Sequence, residues 1–197
     1  MPDFSYENNL KLKGFKLVCG VDEAGRGPLA GPVYAAACIL PSDIVIEGLN
    51  DSKKISEKKR EALYDIIIEN AVDYCVATAS VEEIEEFNIL NATYLAMTRA
   101  VQCLKAVDYC LIDGNRIPPQ LMGNSEAVVK GDSKSFSISA ASILAKVSRD
   151  RYLLELDKEY PMYNYKKHKG YGTKENMDLI RQYGVSQVHR KSFLKNL

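Results

Sequence analysis

The first apolar run, Phe15, Leu17, Val18 and Val21, is β-prone and keeps charge to its outer end, the pattern of a buried strand. It stops at Asp22 and Glu23, and Gly25, Gly27, Pro28, Gly31 and Pro32 break any regular continuation. Residues 33–40 form a second strand pattern, too close to the first for a crossover helix, so the two are expected to pair antiparallel. Pro41 ends it. After a polar loop at 49–54, Ser56 caps a helix to about Asn70, with Leu63, Ile66 and Ile67 inward. Residues 73–80 alternate as a third strand through Tyr74, Val76 and Thr78. A short acidic helical turn at 81–86 precedes a longer helix from Asn88, where Leu90, Tyr94, Met97, Val101 and Leu104 share one face. Residues 108–113 are a compact buried strand cut off by Gly114, and 126–130 a shorter one ending in Gly131 and Asp132. From Ser133 or Ser135 a long helix runs to about Lys158, with Phe136, Ala140, Ile143, Leu144 and Val147 on one side. The tail from Pro161 is rich in tyrosine and lysine and holds a final helix at 174–183 before a basic end. This order of strands and helices fits a mixed α/β sheet whose opening portion is antiparallel.

Composition narrows the functional classes. At 197 residues, 46% hydrophobic and 26% charged, the chain is one ordinary soluble domain, or one with a small appendage. The formal net charge is zero, so attraction to nucleic acid has to come from local patches. No apolar run approaches the roughly 20 residues needed to cross a bilayer, and residues 1–13 lack a signal-peptide core. The 5 cysteines show no C-x-x-C spacing. Cys19, Cys38, Cys75, Cys103 and Cys110 read as small core residues of a reducing compartment, which points to the cytoplasm. His168 and His189 are far apart and the thiols lack ligand spacing, which argues against zinc.

Three strand patterns end in acids beside glycine: Asp22 with Glu23, Asp113 before Gly114, and Asp132 after Gly131. Strand side chains alternate between faces, so the adjacent pair is expected to converge only where the strand ends and turns. Strand ends at one edge of a sheet are neighbours, so these carboxylates can share a site, or the strands can face opposite ends and keep them apart. Two bare carboxylates about 4 Å apart repel by roughly 4 kcal/mol at an effective dielectric near 20. A cluster therefore needs protons or cations, and oxygen-only ligands select Mg²⁺ or Mn²⁺. Two such ions clamping one phosphate suit in-line phosphodiester hydrolysis.

The residues also carry a family resemblance. Segments 20–33 (GVDEAGRGPLAGPV), 51–54 (DSKK), 111–115 (LIDGN), 129–135 (VKGDSKS), 140–150 (AASILAKVSRD) and 168–173 (HKGYGT) resemble, in order, the motif series of ribonuclease HII. The resemblance implies an RNase H-like mixed five-stranded sheet flanked by helices, with a catalytic domain at 1–160 and a helical, basic substrate-binding segment at 161–197 packed on it. It implies endonucleolytic cutting of RNA paired with DNA, and of single ribonucleotides embedded in duplex DNA on their 5′ side, leaving 5′-phosphate and 3′-hydroxyl ends. By resemblance Asp22, Glu23, Asp113 and Asp132 hold two Mg²⁺ or Mn²⁺ ions. Gly25, Arg26 and Gly27 would contact the 2′-hydroxyl and neighbouring phosphates, and glycine and arginine suit that role. Tyr171 matches a tyrosine that stacks on a sugar at the RNA–DNA junction, and its flanking glycines set it on a loop free to project. Ser52, Lys53, Lys130, Ser133 and Lys146 are weaker candidates for substrate or phosphate contacts, and otherwise read as caps and solvated lysines. Lys166, Lys167 and Lys169 would grip the duplex backbone. A monomer is expected.

Residues 185–193 (VSQVHRKSF) resemble the family's C-terminal end, with His189 read as structural or backbone-contacting, and His168 has no assigned chemistry. Departures from the pattern are small: Asn176 stands where many relatives carry a histidine. The sister class, ribonuclease HIII, bears an N-terminal nucleic-acid-binding domain, whereas few residues precede the first strand here. Two rival classes remain open at this point: a nucleotide-phosphate module built on the glycine loop, and a non-catalytic nucleic-acid binder. Pro28 removes an amide from the loop, and two acids before it would repel phosphate without a metal, which counts against the first. Neither rival accounts for four acids at strand ends.

Overall fold

The computed structural model describes residues 2–42, 44–49 and 55–195. Helix α1 (Ser5–Leu12) leads into strand β1 (Val18–Ala24), followed by β2 (Val33–Ile39), α2 (Glu57–Asn70), β3 (Asp73–Ala79) and α3 (Val81–Gln102). Then come β4 (Tyr109–Asp113), β5 (Ser125–Val128), the long helix α4 (Phe136–Glu159), the single-turn α5 (Tyr165–His168) and α6 (Lys174–Tyr183). One five-stranded sheet runs in the order β3-β2-β1-β4-β5. The expected antiparallel start is present in β1–β2 and β2–β3, while β4 pairs parallel with β1 and β5.

Helices cover both faces. Cys19, Val21, Ala35, Ala37 and Ile112 pack under Ala92, Ala96 and Met97 of α3, while Ala24, Ala36 and Cys38 pack under Ala140, Ile143 and Leu144 of α4. The contact with α4 is unusually close. A Cβ on Gly20 would run into the backbone of Ser137, so glycine lets the start of α4 lie directly on the central strand. That start is held by its N-cap Ser135, whose hydroxyl accepts from Ile138 N. The buried Glu7 of α1 accepts from Ser135 Oγ (2.6 Å) and Ser137 N (3.0 Å), which fixes the two helices together.

Local signals explain most boundaries. The Ser56 side chain caps α2, and Leu63 and Ile67 face inward, but Ile66 is exposed, correcting the expected inward trio. The break expected between a short helix and a longer one lies at Asn88, whose backbone (φ 67°, ψ 165°) is not helical. Its side-chain oxygen accepts from Leu90 N and Asn91 N and restarts the helix. Cys19, Cys38 and Cys110 are free and buried, as expected of small core residues. That expectation fails for Cys75 and Cys103, joined in a disulfide between β3 and the end of α3. Their sequence separation of 28 hides a proximity created by packing α3 on β3. Among the described residues, no helix is long and apolar enough to cross a membrane.

Candidate active site

Asp113 ends β4 as expected, but Asp22 and Glu23 do not sit at a strand end. Asp22 and Glu23 lie inside β1, which runs on to Ala24, so their side chains leave opposite faces of the sheet. Asp22 is buried on the α4 side, where the Ser142 hydroxyl bonds it and Glu23 N donates to its Oδ1 (2.7 Å). Glu23 points the other way and lines a cavity of about 400 Å³ with Leu90, Thr93 and Met97 of α3. Parallel register sets Val21 beside Ile112, which brings Asp113 alongside Asp22. Asp113 lines the same cavity as Glu23, and its Oδ1 accepts from Gly131 N (2.6 Å). That bond ties in the tight turn Gly131–Ser133, which carries the buried Asp132. Asp22, Glu23 and Asp113 therefore lie at one end of β1 and β4, and the Asp113–Gly131 bond leads from them to the turn that carries Asp132.

Electrostatics marks Asp22 as the centre of this group. Burial, then the charges of Glu23 and Asp113, hold its carboxyl well above the usual carboxylate range, against the lowering effect of Ser142. Among the described residues no three acidic, histidine or cysteine side chains are close enough as placed to enclose a metal ion. The donor set is nevertheless right for a hard divalent cation: carboxylate oxygens alone, in mutual repulsion that a cation would relieve.

Beyond Ala24 the chain turns through Gly25 (φ 98°) into the loop 25–32. A second, smaller cavity of about 170 Å³ is bounded by Asp22, Glu23, Gly25, Arg26, Gly27, Ser142, Lys146 and Tyr171. The two glycines of the Gly-Arg-Gly run differ in purpose. A Cβ on Gly25 would collide with the side chain of Arg149, whereas at Gly27 it would lie 3.9 Å from the Tyr171 ring, on the open side. Arg26 is half-exposed and reaches back to Glu23 (3.5 Å). Carbonyls of this loop accept from two buried arginines: Arg190 bonds those of Gly25, Arg26, Pro28 and Gly31, and Arg149 those of Ala30 and Pro32. Both lie in segments that carry the family resemblance, but no spacing within those segments assigns either arginine to this loop.

Tyr171 faces this cavity but is not on a loop free to project. His168 Nε2 meets Tyr163 O (2.7 Å) while its Nδ1 accepts from Gly170 N (3.2 Å), so both ring nitrogens are engaged by backbone. Asn176, fully buried, donates to the carbonyls of Gly170 and Tyr171, and Leu29 N donates to Gly170 O. The tyrosine backbone is thus fixed from three sides, and its ring, 43% exposed, is left to the solvent. Lys146 Nζ lies 5.9 Å from the ring centroid and pairs with Asp150 at 2.6 Å.

The remaining candidates separate. Lys130 is exposed, and the Ser133 hydroxyl donates to its carbonyl, a bond that closes the Asp132 turn. Ser52 and Lys53 lie outside the described residues. The lysine run offers little free charge for gripping a duplex: Lys166 pairs with Asp157, Lys167 with Glu175 and Lys169 with Glu57.

Comparison with known proteins gives the chain a family. The family model of ribonuclease HII matches residues 19–196. A ribonuclease HII of Caldicellulosiruptor saccharolyticus is 53% identical over 195 residues, 98% of this chain and 95% of the relative. One of Clostridioides difficile is 54% identical over 193 residues, covering 98% and 75%. The crystal structure of the ribonuclease H2 from Pyrococcus horikoshii superposes with a TM-score of 0.73 at 27% identity, over 92% of this chain and 100% of that one. A Bst-RNase HIII crystallised in complex with Mn²⁺ gives a TM-score of 0.69 at 16% identity, over 90% of this chain and 64% of that one, a likeness of fold alone.

Proposed function

Because the chain belongs to the ribonuclease HII family, whose members are ribonuclease H hydrolases, we propose that it cuts the RNA strand of RNA–DNA hybrids and the 5′ side of single ribonucleotides in duplex DNA. The observation that carries this reading is Asp22, buried on the α4 side with its carboxyl held high by that burial and then by the charges of Glu23 and Asp113, a few residues from a glycine loop facing Tyr171. In this reading Asp22, Glu23, Asp113 and Asp132 hold two Mg²⁺ or Mn²⁺ ions. Bound there, the ions would supply Lewis-acid activation of water and charge stabilisation at the departing 3′-oxygen.

The chain's own groups do the rest. The Arg26 and Gly27 backbone faces the smaller cavity, where the 2′-hydroxyl, the one group that separates RNA from DNA at a nucleotide, would be read. The Tyr171 backbone, held by Asn176 with His168 on the neighbouring Gly170, presents a half-exposed ring as a face for the neighbouring sugar. Lys146, already bonded to Asp150, contributes charge near the phosphates without freedom to wander. Lys130 and Ser133 are assigned to the Asp132 turn first and to substrate second. Segment 161–197 acts as the substrate-binding extension of domain 1–160, joined to it through Ala30, Leu153, Leu156, Tyr163, Tyr165 and Ile180. The protein is expected to act as a monomer.

The deciding experiment incubates a DNA duplex bearing one ribonucleotide with the protein and Mg²⁺ or Mn²⁺, beside an all-DNA control. A single cut 5′ of the ribonucleotide, absent from the control and from chelated samples, is expected. Binding without cutting in either ion would leave only the non-catalytic reading.

A further inference from the structure

Arg149 and Arg190 are both fully buried, yet among the described residues neither has a carboxylate within ion-pairing distance. A buried guanidinium without an acid is strongly unfavourable unless its donors are fully used. Burial, and then the neighbouring Arg149 charge, push the Arg190 pKa down to about 9, the direction desolvation of a cation gives. What meets these charges is backbone. Arg190 Nη2 donates to Gly25 O (2.7 Å), Nη1 to Arg26 O (3.1 Å) and Pro28 O (2.9 Å), and Nε to Gly31 O (2.8 Å). Arg149 donates to Ala30 O and Lys169 O, both at 3.1 Å, and to Pro32 O at 3.4 Å.

The bonds of Arg190 fix more than the fold. In a planar trans peptide the C=O of one residue and the N–H of the next point in opposite directions. Drawing the Gly25 and Arg26 carbonyls inward therefore turns the amides of Arg26 and Gly27 outward, into the cavity shared by Glu23, Lys146 and Tyr171. Successive amides aimed at one concavity make an anion-binding nest. Holding the C-terminal segment in place does not require the guanidinium, because Gly31 N already donates to Val188 O and Arg190 N to Leu29 O across an Ala30–His189 bridge.

We propose that Arg190 is a positioning residue for ribonucleotide recognition: from the far end of the chain its guanidinium sets the orientation of the Arg26 and Gly27 amides that meet the sugar and phosphate of the strand to be cut. This rests on the functional reading above and adds to it the residue that aims the recognition loop. Arg149 supports the downstream end of the same loop and ties it to Lys169, beside Tyr171.

The test is Arg190→Lys. A lysine keeps the charge but cannot span four carbonyls with a rigid fork. For the one-ribonucleotide duplex, KM should rise about ten-fold while kcat changes by less than about three-fold, the pattern of lost substrate binding rather than lost chemistry. The same variant should become open to trypsin at the Arg26–Gly27 bond. A folded Arg190→Lys protein with wild-type KM and a wild-type tryptic rate at that bond overturns the proposal. Should the variant not fold, the wild type decides: slower cutting at Arg26–Gly27 than at the exposed Lys13–Gly14 supports a held loop, and equally fast cutting overturns it. A wild type that cannot tell the ribonucleotide duplex from all-DNA defeats the functional reading instead, and the tryptic rates still report on the clamp.

Discussion

Two regions three residues apart on one chain are finished in opposite ways. At the acid corner, burial and then the charges of Glu23 and Asp113 hold the Asp22 carboxyl well above the usual carboxylate range. In the loop beginning at Gly25, the carbonyls of Gly25, Arg26, Pro28, Leu29, Ala30, Gly31 and Pro32 all accept hydrogen bonds from Arg149 or Arg190. The first region is left electrostatically incomplete, with cation charge as its natural complement. The second is completed by the protein itself. On the proposed function, the contrast teaches which half is prebuilt: folding sets the recognition geometry, and cations would supply the charge balance at the acids.

The sharpest way to break this contrast is Asp22→Asn. Loss of that carboxylate should lower cleavage of the one-ribonucleotide duplex by about a thousand-fold or more, the equivalent of roughly 4 kcal/mol of barrier. Thermal stability should stay level or rise, because a buried, repelled carboxylate has been neutralised. Near-normal cleavage, or a large loss of stability, would show that the acid corner is structural. The next effect is ion linkage. Mg²⁺ at about a hundred times its dissociation constant should add roughly 2.7 kcal/mol to stability by mass action. For a chain of this size that is about 5–10 °C in Tm. Asp22→Asn should lose most of that shift, and equal shifts in both proteins would place the ions elsewhere.

The two regions also differ in how far the sequence announces them. Strand acids flanked by glycine are visible in one dimension, and alternation, caps and breakers placed the five strands around them. What stayed hidden depends on contacts across the fold. Asp22 and Glu23 could not be assigned to opposite faces without knowing that β1 runs on to Ala24, and antiparallel pairing of Ala24 with Tyr34 decides that. Arg190 lies 165 positions from Gly25, and Arg149 lies 117 from Pro32, so no spacing rule links them to the loop. The lysine run looked like a free basic patch because its acids, Glu57 and Asp157 among them, come from α2 and α4. Asn176 was read as a neutral departure, yet its amide fixes the carbonyls on either side of the Gly170–Tyr171 bond.

That last point gives a smaller test on the recognition side. Asn176→Ala strips the donor from two carbonyls, one of those bonds deep in the interior, and should cost about 1–3 kcal/mol of stability. With Tyr171 loosened, KM should rise by several-fold and kcat little, which calorimetry and steady-state kinetics on one sample would show. A larger fall in kcat than in binding would mean that the tyrosine loop takes part in the chemistry, and the division between regions would blur.

The smallest expected effect lies behind the clamp. His189 precedes Arg190 and bridges Ala30; its Nδ1 accepts from Ser186 N (3.0 Å), and Nε2 meets the Tyr165 hydroxyl at 3.2 Å. Burial, and then the nearby His168, depress its pKa from 6.5 to about 4. The folded protein therefore refuses a proton that the unfolded chain takes up below 6.5. Stability from this group is complete above pH 6.5, declines as pH falls from there, and is gone once pH passes about 4. His189→Gln removes the titration, so between pH 6.5 and 4 its stability should fall less steeply than the wild type's, by up to one proton in the linkage slope. Carboxylates elsewhere titrate in both proteins and cancel in the difference. Parallel curves would mean that His189 protonates freely in place, and that the segment delivering Arg190 to the loop is looser than its hydrogen bonds imply.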